Sequence, residues 1–277
     1  MTESRWLKIV TDKETIDLEE QLPGLIFLDT KQEYPVLYDS KVVINGLDGE
    51  LPGAISFAPF NLILRFGVDG HDTEDVYLAE QKLRNLFFKR NYYFVITSDL
   101  PNKKFAVSNP TITPTVKDSS SIELEVTFQV YKGYSESLYL TDQFSLGDGK
   151  WQFENGLVPD SDIKYKHTRT LFEIFNGSSD TIDPRHSHKL KIRVRLATET
   201  GFKIINKETG DVFEYTGELK ANQSFVIDGG YAYKDEKRCG RQTNHGILRL
   251  APGYNTFEVW GKISNFEIEF VFPFIYR

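Results

Sequence analysis

Apolar and polar residues alternate most clearly over residues 121–134, SIELEVTFQVYKGY. Ile122, Leu124, Val126, Phe128 and Val130 fall on one side of an extended chain; Glu123, Glu125, Thr127 and Gln129 fall on the other. Alternation with a period of two predicts a strand with one buried and one wet face. NLILRF (61–66) repeats the pattern, with Leu62, Leu64 and Phe66 opposite Ile63 and Arg65. VVI (42–44) reads as a further short strand, and GLDGELPG (46–53) between them as a loop or hairpin. The period then changes. Val76, Ala79, Leu83, Leu86 and Phe87 recur at helical spacing, which predicts an amphipathic helix over about residues 73–90. Asp72 is placed to cap its first turn with Asp75 three residues on, and Lys89 and Arg90 are placed in its last turn. After it come YYFVITS (92–98) and KKFAVSNPTITPTV (103–116), both strand-like.

From residue 135 to 170 the pattern lapses into Gly, Asp and Ser, with Trp151 and Phe153 as apolar anchors. This stretch predicts a connector, partly docked. Every later segment is β-like: TLFEIFN (170–176), HKLKIRVRLA (188–197), GFKIINKETGDVFEYTG (201–217), QSFVIDGGYAYK (223–234), HGILRL (245–250), NTFEVWG (255–261) and NFEIEFVFPF (265–274). Turn signals at KETGD and APGYN separate them at intervals typical of a sandwich. The expected fold is therefore mainly β in two domains. Residues 1–141 form a β-sandwich-like domain with one helix, and 142–277 form a second β-sandwich.

Composition sharpens this. With 277 residues the chain can bury roughly three quarters of its unfolded surface without staples. Twenty-one Phe and 14 Tyr against a single Met favour pleated surfaces over helical bundles. Cys239 is alone, which rules out an intrachain disulfide and suits a reducing compartment. No apolar run approaches the ~20 residues of a membrane span, and the N-terminus lacks a secretory apolar core, so neither membrane insertion nor signal-directed export is expected. The net charge of −7 argues against general nucleic-acid binding. It is also uneven. Residues 1–141 hold 14 Lys and Arg against 21 Asp and Glu, whereas 142–277 hold 19 of each.

Candidate chemistry is sparse. His186 and His188 form an H-x-H pair able to contribute to a zinc site, or to sit as surface histidines at a strand start. DGHDTED (69–75) fails the EF-hand pattern and is explained by helix capping. KLKIRVRL (189–196) puts Lys189, Lys191, Arg193 and Arg195 on one strand face, either as a cationic stripe or as a solvated outer face. Basic neighbours of Cys239 could lower its pKa, although a chance surface or loop thiol is the better explanation. There is no G-x-S-x-G elbow and no ordered triad, so no enzyme and no cofactor are expected.

The ordered series of these segments resembles the distal tail protein (Dit) family of siphophages, the long, non-contractile-tailed bacteriophages. The features that carry the resemblance are the glycine loop before FAPFNLILRF, the helix and IELEVTFQVYKGY in the first half. In the second they are FEIFNGSSDTIDP (172–184), GFKIINKETGDVFEYTG and LRLAPGYNTFEVWGKISNFEIEFVF (248–272). The resemblance implies that the first half forms a homo-hexameric ring and that the second is a galectin-like sandwich. It implies a baseplate hub in the virion, assembled in the host cytoplasm. Such a hub joins the tail tube protein to the tail-associated tip protein and supports receptor-binding proteins. HTR (167–169) and RHSHK (185–189) do not match the galectin His-x-Asn-x-Arg sugar pattern, and Trp260 has no assigned facing. The alternative is a lectin-like carbohydrate-binding module acting in host recognition. A closed ring repeats one head-to-tail contact. Phe57, Phe60 and Arg65, beside the glycine loop, are the candidate oligomer-interface residues.

Overall fold

The computed structural model describes residues 5–145, 151 and 163–277. Two compact units emerge: Met1–Glu136 with Arg277, and Ser137–Tyr276. Most of the connector expected at 135–170, including Phe153, lies outside the described residues.

The first unit contains β1 (Leu7–Val10), β2 (Thr15–Asp17), the one-turn α1 (Leu18–Gln21), β3 (Leu25–Gln32), β4 (Leu37–Asp39), β5 (Ile55–Phe57) and β6 (Phe60–Asp69). It continues with α2 (Thr73–Phe87), β7 (Tyr93–Thr97), β8 (Lys103–Val107), β9 (Thr111–Val116) and β10 (Ser121–Ser137). Its main sheet runs β2-β1-β7-β8-β10-β6-β3, with β9 also on β10. The spine is the β6–β10 antiparallel pair, registered from Asp69↔Ser121 to Phe60↔Val130. That register puts Phe60, Leu62, Leu64, Phe66 and Val68 on the same buried face as Ile122, Leu124, Val126, Phe128 and Val130. α2 adds Val76, Leu83 and Phe87. Phe87 packs on Phe66 (ring centroids 6.1 Å apart) and edge-on to Phe128 (5.4 Å).

The Asp72 carboxylate accepts from Asp75 N at 2.9 Å, and Asp75 in turn accepts from His71 N at 3.1 Å, so the acidic run is helix-start chemistry. The helix stops earlier than its pattern predicts. Phe88 turns to an extended conformation and Lys89 N donates to Asn109 Oδ1 at 3.0 Å, which leaves Lys89 and Arg90 beyond the last turn. The four strands before residue 40 had no sequence expectation. Val42–Ile44 is not a strand either, since Val42 makes only an isolated bridge to Leu51.

The second unit has β11 (Lys166–His167), β12 (Leu171–Asn176), β13 (Lys191–Ala197), β14 (Phe202–Asn206), β15 (Val212–Tyr215) and β16 (Phe225–Asp228). β17 (Tyr231–Lys234), β18 (Lys237–Arg238), β19 (Gly253–Trp260) and β20 (Ser264–Val271) follow. Two sheets form, β11-β20-β13-β16-β17-β18 and β12-β19-β14-β15. Rings from both meet: Phe257 against Phe270 at 4.7 Å, Phe202 against Phe225 at 5.2 Å, and Tyr215 against Phe225 at 4.7 Å. These contacts make a sandwich core.

Residues 245–250, expected as a strand, are not one. Their neighbourhood is held by buried amides instead. Asn206 Nδ2 donates to Arg249 O (2.7 Å) and to Asn255 Oδ1 (3.1 Å); Asn176 Nδ2 donates to Leu250 O (2.9 Å); Asn255 Nδ2 donates to Ala251 O (2.7 Å). Ser137 and Thr141 tie the unit's first residues to its last strand region. Ser137 N donates to Phe274 O (2.8 Å), Phe274 N to Ser137 Oγ (3.0 Å), Thr141 N to Phe272 O (3.0 Å), Thr141 Oγ1 to Phe270 O (2.8 Å) and Phe272 N to Thr141 Oγ1 (3.1 Å). Trp151 is buried here, 4.9 Å from Phe144 and 5.2 Å from Phe274 between ring centroids.

Candidate assembly surface

β4 and β5 form a separate two-stranded ribbon, with Leu37 opposite Phe57 and Asp39 opposite Ile55. The pairing continues outward through Ser40 N to Ala54 O (3.3 Å) and through Val42 and Leu51. The two backbones run so close that a Cβ on Gly53 would lie 1.9 Å from Ser40 O. Lys41 reaches Asp39 and Glu50, both at 3.5 Å. The ribbon is rooted where Ala58 N donates to Val36 O at 2.8 Å.

Every residue from 36 to 57 is exposed. Yet the arm is rich in large apolar side chains: Val36, Leu37, Tyr38, Val42, Val43, Ile44, Leu47, Leu51, Ile55 and Phe57. A lone two-stranded hairpin is marginal in water, and a contiguous apolar surface of this kind marks an interaction site. The sheet it springs from has open edges as well. β3, which leads into the arm, pairs only with β6, and β9 pairs only with β10. Beside α2 and β9 lies a groove of about 650 Å3 with Leu83, Phe88, Ile112 and Leu124 on its walls.

The interface candidates separate. Phe57 lies on the arm at 37 % exposure, with the Arg277 guanidinium 3.6 Å from its ring centroid. Phe60 does not belong with it. It is 3 % exposed and edge-on to Phe105 in the unit's own core, so it cannot face a neighbour. Arg65 stands on the outer face of β6, gripping Asp29 with Glu123 3.5 Å away. The Arg65 hydrogen bond holds the Asp29 carboxyl below its usual range. The sequence pattern marks part of the arm as a short strand and a glycine loop or hairpin, but its apolar residues show no period that would separate an outward face from a buried one.

The remaining candidates acquire local roles. His188 is buried, contrary to its reading as a surface residue. Its Nδ1 accepts from Asp183 N at 3.1 Å, while His186 sits in a short 3-10 turn. Among the described residues no group of three or more His, Cys, Asp or Glu could hold a metal. On β13, Lys191 pairs with Asp228 (3.1 Å), Arg193 with Glu269 (2.9 Å) and Arg195 with Glu267 (4.0 Å), which makes a salt-bridged outer face. Burial pushes the Cys239 thiol up despite its basic neighbours. Trp260 points to solvent at the end of β19.

Residues 11–130 match the family model of the phage tail protein RIFT-related domain. The solved structure of the Dit protein of phage SPP1, described as a paradigm of the hub adsorption apparatus in phages infecting Gram-positive bacteria, superposes with a TM-score of 0.68. The identity is 13 %, covering 98 % of this chain and 99 % of that one. The phage p2 baseplate in its activated conformation with strontium gives a TM-score of 0.46 at 12 % identity, covering 97 % of each chain. No curated protein matches by sequence. The mainly β fold expected from the sequence is borne out, and it matches the fold of the SPP1 Dit protein.

Proposed function

We propose that this chain is the hub subunit of a siphophage tail tip, assembling as a homo-hexameric ring through its first unit. The observation that carries the reading is the arm over residues 36–57, a ribbon whose apolar side chains all stay exposed among the described residues. A ring closes when one surface of each copy fits a different surface of the next. The arm supplies the first of these surfaces; the groove beside α2 and the open strand edges supply candidates for the second. Phe57 and Arg65 remain interface candidates on this reading. The galectin-like sandwich of the second unit supports host-adhesion proteins, and the ring joins the tail tube protein to the tail-associated protein. The acidic excess of the first half suits a passage that DNA must cross without sticking. Assembly takes place in the host cytoplasm, and the finished ring resides in the virion.

Negative-stain electron microscopy of the purified chain tests this. Six-fold rings are expected. Uniform small particles at every concentration up to that of a packed sample would refute ring formation by this chain alone.

A further inference from the structure

The second unit carries a cleft of about 720 Å3 bounded by β15, β17 and the segment from β18 to residue 246. Arg238, Arg241 and His245 line it, and no carboxylate does. This departs from the outer faces of β13 and β14. On β13 and β14 every cation has an acidic partner, including Lys203 with Glu214 at 3.2 Å. Among the described residues neither Arg238 nor Arg241 has an ion pair or a side-chain hydrogen bond, and neither ring nitrogen of His245 has a partner.

The site is also pre-formed. The Arg238 guanidinium lies 4.3 Å from the centroid of the Tyr231 ring. This cation–π contact holds the guanidinium beside the ring while its N–H fork makes no ion pair or hydrogen bond among the described residues, and such a fork grips a phosphate or carboxylate through two parallel bonds. The segment bearing Arg241 and His245 is tied down by Cys239 N to Ala232 O (2.9 Å), Gln242 N to Cys239 O (2.9 Å) and Thr243 N to Gly240 O (3.0 Å). A Cβ at Gly246 would stand 2.0 Å from Val212 O, so glycine lets the segment lie flush on β15. Little ordering remains to be done on binding.

We propose that this cleft binds an anionic saccharide, a sugar unit bearing one phosphate or carboxylate. Two unpaired guanidiniums match one oxyanion. The rest of the lining is Tyr231, 57 % exposed, with the short polar groups Gln242 and Thr243 and glycine backbone, which suits a hydroxylated ring. An acidic peptide fits less well. Phe213 and Ala232 are buried beneath the cleft and offer no apolar socket, and peptides are otherwise taken up at strand edges or in grooves. The site does not use the galectin sugar pattern and does not depend on ring formation.

Saturation-transfer NMR on the full chain tests it, with glucose 6-phosphate, glucuronate, glucose and tetraglutamate as observed probes and inorganic phosphate, which has no carbon-bound proton, as a competitor. Saturable binding of at least one anionic sugar is expected, and the stronger of the two identifies the oxyanion. Glucose should bind about tenfold or more weakly, as loss of a charge-assisted contact implies, and phosphate about tenfold or more weakly because it leaves the ring contacts unmade. The double variant R238Q/R241Q should weaken the sugar by about tenfold or more, and Lys262→Gln should leave it unchanged. Both arginines are exposed and, among the described residues, outside any ion pair, and the Arg238 guanidinium meets the exposed Tyr231 ring, so the double variant should keep the melting profile of the unaltered chain to within about 1 kcal/mol. The proposal is overturned if neither anionic sugar binds, if R238Q/R241Q binds as well as the unaltered chain, if phosphate alone matches the sugar, or if tetraglutamate displaces it.

Discussion

Replacing Val43 and Leu47 together by glutamate probes the arm where it is barest. Val43 is 68 % exposed and Leu47 59 %. Complete burial of such a side chain is worth about 1.5–3 kcal/mol, so covering what this pair still shows would contribute about 2–4 kcal/mol. Losing that contact weakens each interface by roughly 30- to 800-fold, at about 1.4 kcal/mol per decade. Two carboxylates forced into the same contact add a desolvation cost on top. In a closed ring every interface carries the change, so the effects compound around the circle. Folding of the single chain should move by no more than about 0.5 kcal/mol, the usual range for a surface change away from special features. Sedimentation velocity, run where the unaltered chain is assembled, should show single chains for the variant, and its thermal melt at low concentration should be unchanged. Rings persisting at the same concentration would refute the arm as an interface. A collapsed melt would refute its solvent-exposed placement.

Three further outcomes are expected. Phe60→Ala should cost about 3–5 kcal/mol of first-unit stability in urea, as a large core truncation does, without altering the association of chains that remain folded. For Asp183 and Asp211, burial pushes the carboxyl up, but hydrogen bonds from Arg185 and Arg249 outweigh it and hold both below 3.8. A depressed folded pKa means stability that is complete above the unfolded value and lost as pH falls through the folded one. The second unit should therefore weaken below about pH 4, and Arg249→Gln should flatten that dependence in pH-resolved melts. A fragment over residues 137–277 should fold with a β-type spectrum and melt above one over 142–277, because the shorter piece lacks the Ser137 and Thr141 bonds, each worth ~1 kcal/mol net. Equal melts would show that these bonds are replaced by solvent at no loss.

The long elements were legible because burial imprints a period on them. β6, β10 and α2 each bury one face of a regular structure, and the side chains say so residue by residue. Phe60 could have been placed too: it shares the parity of Leu62, Leu64 and Phe66, which puts it in the core. The failures share a cause, that apolar content is not burial. Val42–Ile44 is apolar yet exposed, and on the proposed reading a neighbouring copy covers it. The same segment, read against the cover it lacks, becomes the candidate site. Leu248 and Leu250 alternate as a strand would, but asparagine side chains satisfy the backbone there, and nothing local reveals partners more than forty residues away in sequence. His188 looked like a surface residue until the fold placed Asp183 N against it. The cleft around Arg241 escaped notice because its signal is a missing partner, visible only in three dimensions.

The buried amides also bear on how the chain ages. Asn176 precedes Gly177, the dipeptide most open to cyclisation, in which the glycine nitrogen attacks the side-chain amide carbon and expels ammonia. That attack needs a carboxamide free to rotate. Here Asn176 Nδ2 is held by Leu250 O at 2.9 Å and Asp180 O at 3.3 Å, while Oδ1 accepts from Ser178 N at 3.0 Å. Conversion to a carboxylate would also set an anion against two carbonyl oxygens. Folding thus shields a labile bond, and ammonia loss at this position becomes a clock that runs only while the second unit is open.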